Sequence, residues 1–109
     1  MRLTLSYTIL GTKKLGKALT VNLSGEGLRF IAEHPLEPGT RLEIVLRLPE
    51  GEEPVRCLAE VVWSQMTGAV NRALPSHGAE VGARFVEIRP QDHALIAQYA
   101  AFYFPPAHP

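Results

Sequence analysis

The 109-residue sequence contains a single cysteine, Cys57, so no disulfide framework can form within the chain. Disulfide frameworks are typical of small secreted proteins, and the lack of one favours a reducing compartment. Cys57 lies in an apolar, strand-like pattern, which favours a small core residue over a nucleophile. There is no run of about 18 apolar residues and no basic-then-apolar signal pattern at the start. We therefore expect a soluble, cytoplasmic domain without membrane insertion.

Neither sign of charge is in excess, because 11 Lys and Arg residues balance 11 Asp and Glu residues. A general nucleic-acid-binding protein gains affinity by neutralising many phosphates, so we expect no DNA or RNA partner. A small anionic ligand is compatible with the composition, because the charge is unevenly distributed. The first third of the chain holds Arg2, Lys13, Lys14, Lys17 and Arg29.

Candidates for catalysis and for metal binding are also few. Asp92 is the only aspartate, and it adjoins His93 at the start of a predicted helix, where an acidic residue favours the helix dipole. Ser24 lies in no Gly-x-Ser-x-Gly elbow, so a Ser-His-Asp arrangement has no support in the sequence. The four histidines lack the paired spacing of metal ligands. We therefore predict that the protein is not an enzyme and holds neither metal nor cofactor.

The sequence does contain a series of strand patterns. Apolar and polar residues alternate over 3–9 and 42–48, which is typical of half-buried strands. Gly-, Pro- or charge-rich turns separate these segments from four further predicted strands, at 18–23, 28–31, 55–65 and 79–88. After them, Pro90 fits a first helical turn. Four apolar residues then recur at helical spacing: Leu95, Ile96, Tyr99 and Phe102.

Six short strands followed by one helix exclude a doubly wound sheet, which needs a helix between successive strands. The predicted fold class is all-β, a small six-stranded antiparallel β-barrel with a C-terminal α-helix. The helix stripe of Leu95, Ile96 and Tyr99 is expected to cap the barrel or to cover one side. The domain is expected to span 1–104, and the Pro-rich end at 105–109 is expected to be a disordered tail.

The segment at 22–27, Asn-Leu-Ser-Gly-Glu-Gly, is the most informative stretch. Because strand side chains alternate, Asn22 and Ser24 are predicted to point to the same side and to bind one ligand edge together. Gly25 and Gly27 can adopt positive φ and let a ligand come close. The same pattern is typical of a hairpin turn, so it indicates either a turn or a small-molecule site. Trp63 could stack on a base, but its position on the apolar face of its strand favours the core.

Together these motifs resemble the PilZ domain family, bacterial receptors for the second messenger cyclic di-GMP. Asn22, Ser24 and Gly27 match the family pattern Asp/Asn-x-Ser-x-x-Gly. Residues 61–63, Val-Val-Trp, look like the end of a family strand, and residues 81–85, Val-Gly-Ala-Arg-Phe, look like its Gly-x-x-Phe strand. The family fold is a six-stranded barrel with a terminal helix, which agrees with the fold predicted from the strand patterns.

The resemblance implies that the ligand is cyclic di-GMP and that Arg2, Asn22, Ser24 and Gly27 bind it. Family members that bind the nucleotide carry an Arg-x-x-x-Arg segment upstream of the strand that Leu3 begins here. Arg2, 20 residues before Asn22, fits the second of these arginines, and the position of the first would precede Met1. Arginine can fork onto guanine O6 and N7, stack on a base or clamp phosphate.

Two functions follow from the resemblance. The first is a PilZ-like domain that binds cyclic di-GMP and relays it to a partner protein or an adjoining domain. The alternative is a divergent PilZ-like adaptor that does not bind the nucleotide and acts through protein–protein docking. Its surface would be the aromatic end of the chain, Tyr99, Phe102, Tyr103 and Phe104. Those aromatics could instead seal the barrel.

Overall fold

Six strands and one helix make up the part of the chain that the computed structural model describes, residues 3–49, 53–66 and 78–105. The strands are β1 (Leu3–Ile9), β2 (Leu15–Leu23), β3 (Gly27–Ala32), β4 (Arg41–Leu46), β5 (Val55–Met66) and β6 (Ala79–Ile88). The helix α1 spans Pro90–Tyr103. Each predicted element is present, and no end differs from its prediction by more than three residues.

The strands form a closed antiparallel barrel in the order β1-β2-β3-β6-β5-β4, with β4 pairing back onto β1. Closure pairs strands that are far apart in the chain, β3 with β6 and β1 with β4. As a result, the segment at 22–27 lies next to β6, which carries one of the other two family motifs, and β6 pairs in turn with β5, which carries the other. The predicted β-barrel with a C-terminal helix is confirmed.

The largest shift of an element boundary is at the start of β2. The predicted strand begins at residue 18, which leaves Gly16 in the preceding turn, but Gly16 lies within β2 and pairs with Tyr7. A Cβ atom at Gly16 would fall on the Tyr7 ring, so the aromatic side chain fills the space that a side chain at this position would occupy. Glycine in a strand interior is a usual sign of such a close approach.

The helix α1 packs its buried face against the barrel core. Ile96 and Ala100 are buried members of the core, and Tyr99 and Phe104 pack against it while partly exposed. Phe102 is 76% exposed and does not share this face, although its spacing had suggested the same stripe. No helix in the described residues is long and apolar enough to cross a membrane.

Candidate functional site

A β-bulge in β2 turns Asn22 toward the outside of the barrel. Thr20 pairs with Phe30, but Asn22 pairs with Arg29, so Val21 is an extra residue between them. A bulge changes which face the following side chains occupy. Thr20 is fully buried, whereas Asn22 is half-buried and lines a surface depression. Simple alternation would have placed Thr20 and Asn22 on the same face.

A second bulge, in β5, does the same for Trp63. Val61 pairs with Ala83 and Trp63 pairs with Gly82, which leaves Val62 as the extra residue. Val61 is buried, but Trp63 is half-buried and lies outside the core cluster. The expectation that Trp63 packs in the core is therefore wrong, because the bulge moves its indole to the outer face.

The two bulges place four positions in one row across the outer surface. Asn22 on β2 lies opposite Arg29 on β3, Arg29 lies opposite Gly82 on β6, and Gly82 lies opposite Trp63 on β5. We call Asn22, Arg29, Gly82 and Trp63 the site row. A Cβ atom at Gly82 would fall on the indole, so Trp63 covers the glycine. The row borders a depression of about 280 Å³ that the turn at 24–27 also lines.

The hydroxyl of Ser24 holds the turn at 24–27 together. It accepts hydrogen bonds from the backbone N–H groups of Glu26 (3.2 Å) and Gly27 (3.3 Å). The Ser24 N–H donates to the Gly27 carbonyl at 2.9 Å. Serine favours such local bonds because its short side chain reaches the backbone of the following residues. The described structure thus uses Ser24 to shape the turn.

Asn22 presents a donor to the depression rather than an acceptor. Its Oδ1 accepts the backbone N–H of Leu23 at 2.8 Å. The Nδ2 amide group has no partner among the described residues and carries two N–H donors. Asn22, Ser24 and Gly27 therefore come together at one depression, with Asn22 suited to acceptor atoms of a ligand.

Gly27 is needed for a close approach of two strands and not for a left-handed backbone. Neither Gly25 nor Gly27 has positive φ; among the described glycines only Gly11 and Gly39 do. A Cβ atom at Gly27 would fall on the carbonyl oxygen of Ala83 and lie 2.9 Å from the Cα atom of Arg84. The positive φ that these glycines could adopt is thus not used, and the close contact between β3 and β6 is what requires glycine at position 27.

Two arginines that line the depression are each paired with a glutamate. Arg29 Nη1 lies 3.5 Å from Glu80 Oε2, and Arg84 Nη2 lies 3.0 Å from Glu60 Oε2. Such exposed pairs contribute little stability, so the arginines can exchange partners at low cost. Lys13 and Lys14, which carry positive charge nearby in the sequence, lie in the β1–β2 connection and do not line the depression.

Arg2 lies outside the described residues. Its neighbour Leu3 pairs with Thr20, two residues before Asn22, so β1 begins beside the strand that carries the motif.

A contact from the helix also reaches the turn, and nothing in the sequence pattern indicated it. His93, in the first turn of α1, lies with its Nε2 atom 2.7 Å from the carbonyl oxygen of Gly25. The residues are 68 positions apart, so only the closed barrel brings them together.

The Cys57 thiol is not activated as a nucleophile, and the described part of the chain holds no group of metal ligands. Burial raises the pKa of the Cys57 thiol to about 12, and the negative charge of Asp92 adds to this effect. Such a thiol stays protonated at neutral pH and is a poor nucleophile. Within residues 3–49, 53–66 and 78–105, no three His, Cys, Asp or Glu side chains are grouped to hold a metal ion.

Several wider depressions lie elsewhere on the surface, including two on the barrel of about 540 and 900 Å³. The lining of the first includes Leu19, Ile31 and Val45, and the second crosses the middle of β4, the start of β5 and the end of β6. Neither contains Asn22, Ser24, Gly27 or Trp63. Size alone therefore does not identify the site, and the convergence of motif residues favours the smaller depression.

Solved structures with the same architecture are known. The Bacillus subtilis inhibitor of motility, MotI/DgrA, matches with a TM-score of 0.72 and 19% identity, over 94% of this chain and 46% of that chain. The PilZ domain with c-di-GMP of YcgR from Escherichia coli matches with a TM-score of 0.67 and 14% identity, over 90% of this chain and 79% of that chain. The chain thus spans about half the length of MotI. At these identities the likeness shows the fold alone.

The amino-acid sequence matches a protein-family model over most of its length. No curated protein matches it significantly. The family model of the PilZ domain matches residues 1–102, which is nearly the whole sequence. On that match, the chain belongs to the PilZ domain family.

Proposed function

We propose that this chain is a receptor domain for cyclic di-GMP in the bacterial cytoplasm, and that it relays binding to a partner protein or an adjoining domain. The observation that carries the proposal is the site row, which brings Asn22, Arg29 and Trp63 to one depression beside the turn at 24–27. Membership of the PilZ family, and the likeness to the YcgR domain with c-di-GMP, support the choice of ligand.

The chemistry of the row suits a guanine dinucleotide. Each guanine offers O6 and N7 as acceptors, and Asn22 Nδ2 or the fork of Arg29 can donate to them. The indole of Trp63 offers a flat apolar face, and stacking of one base on an aromatic ring contributes about 1–3 kcal/mol. Arg29 also lies where it can attract the phosphates.

Ser24 and Gly27 have supporting parts in the proposed site. Ser24 fixes the turn, and Gly27 keeps β3 and β6 close enough for the row to be continuous. Arg2 completes the proposed site by binding guanine or phosphate. It immediately precedes Leu3, which lies opposite Thr20. Losing one bidentate arginine contact costs about 1–3 kcal/mol, so Arg2→Ala is expected to weaken binding roughly ten- to a hundredfold.

Calorimetric titration with cyclic di-GMP tests the proposal directly. We expect binding by the wild type and a loss of about tenfold in affinity for Asn22→Ala, because a hydrogen-bond donor is removed. Ser6→Ala is the matched control: Ser6 is also a half-buried polar residue, but it lines a different depression. No heat at about 100 µM ligand with folded protein would contradict the proposal.

Intrinsic fluorescence provides a second readout of the same site. Trp63 is the only tryptophan in the sequence, so the tryptophan emission reports on this position alone. We expect the emission to change during titration with the same affinity as the calorimetric signal. Binding without any change in fluorescence would place the ligand away from Trp63.

One observation favours the second candidate function, a docking adaptor. Phe102 is 76% exposed and stands edge-on to Tyr103, with ring centroids 4.8 Å apart. Tyr99 and Phe104 pack against the core and are less suited to a partner. A protein that binds to the immobilised wild type and to Leu15→Ala, but not to Phe102→Ala, would support docking. Leu15 is the control because it is 67% exposed and lies on β2.

A further inference from the structure

A second row of residues runs beside the site row on the outer face. Gly27 lies opposite Arg84, Arg84 lies opposite Glu60, and Glu60 lies opposite Arg41. The Glu60 carboxylate contacts both guanidinium groups: Oε2 lies 3.0 Å from Arg84 Nη2, and Oε1 lies 3.6 Å from Arg41 Nε. We call Arg41, Glu60 and Arg84 the Glu60 triad. One carboxylate thus forms ion pairs with two arginines.

The two arginines of the Glu60 triad differ in their position relative to the depression. Arg84 lines it, together with Gly27 and Trp63, whereas Arg41 does not. The Arg84 side chain is 57% exposed, so an incoming ligand can reach it. Glu60 is the more buried partner, with a side chain that is 23% exposed. Of the two arginines, only Arg84 can therefore reach a ligand in the depression.

Exchange of Glu60 for a phosphate is chemically favourable for Arg84. The planar guanidinium fork binds carboxylate and phosphate with the same geometry. Exposed ion pairs contribute little, so release from Glu60 costs little. When Arg84 leaves, Glu60 keeps Arg41 as a partner, and the carboxylate is not left without a positive charge.

We infer, on the basis of the proposed function, that Arg84 binds a phosphodiester of cyclic di-GMP and that Glu60 competes with the ligand for it. In the ligand-free protein Glu60 holds Arg84 beside the depression. On binding, Arg84 transfers to the ligand and Arg41 stays on Glu60. Glu60 therefore sets the affinity of the site without contacting the ligand.

Calorimetric titration of charge-neutral variants with cyclic di-GMP separates the two arginines. Arg84→Gln is expected to weaken binding about tenfold, because a charge-assisted contact with phosphate is lost. Arg41→Gln is the matched control, since it removes an ion pair with the same glutamate, and its affinity is expected to stay within about threefold of the wild type. Thermal unfolding of each variant confirms that the barrel is folded. Equal losses for the two variants would overturn the inference.

A double-mutant cycle tests the competition itself. Glu60→Gln is expected to tighten binding about two- to fivefold, because Arg84 no longer has to leave a carboxylate. In the Arg84→Gln background the same substitution is expected to have no effect. Equal tightening in both backgrounds would show a general effect of charge and would overturn the inference. If the wild type does not bind cyclic di-GMP at all, the proposed function is contradicted as well. If the wild type binds and Arg84→Gln binds equally well, only the role of Arg84 is contradicted.

Discussion

At Gly27, the last position of the Asn-x-Ser-x-x-Gly pattern, any side chain would meet the backbone of β6. The carbonyl oxygen of Ala83 and the Cα atom of Arg84 occupy the space where a Cβ atom would lie. Backbone cannot move aside as the end of a flexible side chain can. The glycine is therefore required for the pairing of β3 with β6, which in turn aligns the site row.

Gly27→Ala is expected to destabilise the protein by about 1–3 kcal/mol, because the added methyl group forces the two strands apart. Gly25→Ala is the matched control in the same turn. Its Cβ atom would lie 3.5 Å from His93 Nε2, an ordinary contact, so its effect is expected to be within about 0.5 kcal/mol. Urea denaturation measures both. Equal stability of the two variants would contradict the steric role of Gly27.

At the scale of elements, α1 is tied to the turn at 24–27 through His93. A carbonyl oxygen can only accept, so the Nε2 atom of His93 carries the proton in its bond to Gly25. The neutral ring with a proton on Nε2 and the charged ring can both donate this bond. The neighbouring Glu26 carbonyl accepts the backbone N–H of Phe85 at 2.9 Å. The turn is thus held from β6 on one side and from α1 on the other.

His93→Ala is expected to speed amide hydrogen exchange at 24–27 and in the first turn of α1, because one of these two attachments is lost. The loss of one hydrogen bond corresponds to about 0.5–1.5 kcal/mol. His93→Gln keeps an N–H donor on a side chain of similar reach, so its exchange rates are expected to lie nearer to the wild type. If exchange at 24–27 is the same in all three proteins, the contact does not hold the turn.

The elements could be predicted from the sequence, but their irregularities could not. Alternation of apolar and polar residues located β1 and β4, and the turns between apolar segments located the other four strands. Val21 and Val62 are apolar residues that fit either face, so nothing in the pattern marks them as bulges. The position of Trp63 was mispredicted for this reason. The strand was correct, and only the face was wrong.

At the scale of the whole molecule, the site is made by pairing that no local pattern encodes. The motif at 22–27 could be found in the sequence because its members are close together in the chain. Arg84 and Trp63 join it only through the pairing of β3 with β6 and of β6 with β5. Such pairings follow from closure of the barrel, which depends on all strands at once. The sequence therefore indicated the residues at 22–27 as a candidate site, but it did not indicate that Arg84 and Trp63 lie beside them.

The closed barrel and α1 share one hydrophobic core, and this gives a prediction for the whole fold. Ile96 is fully buried in that core, so Ile96→Ala is expected to lower the free energy of unfolding by about 2–5 kcal/mol. Phe102 lies on the same helix but is 76% exposed, so Phe102→Ala is expected to change it by less than about 0.5 kcal/mol. Urea denaturation of both variants is the measurement. A large loss of stability in Phe102→Ala would show that this ring packs in the fold and would remove it as a docking residue. A small loss of stability in Ile96→Ala would show that α1 is not part of the barrel core.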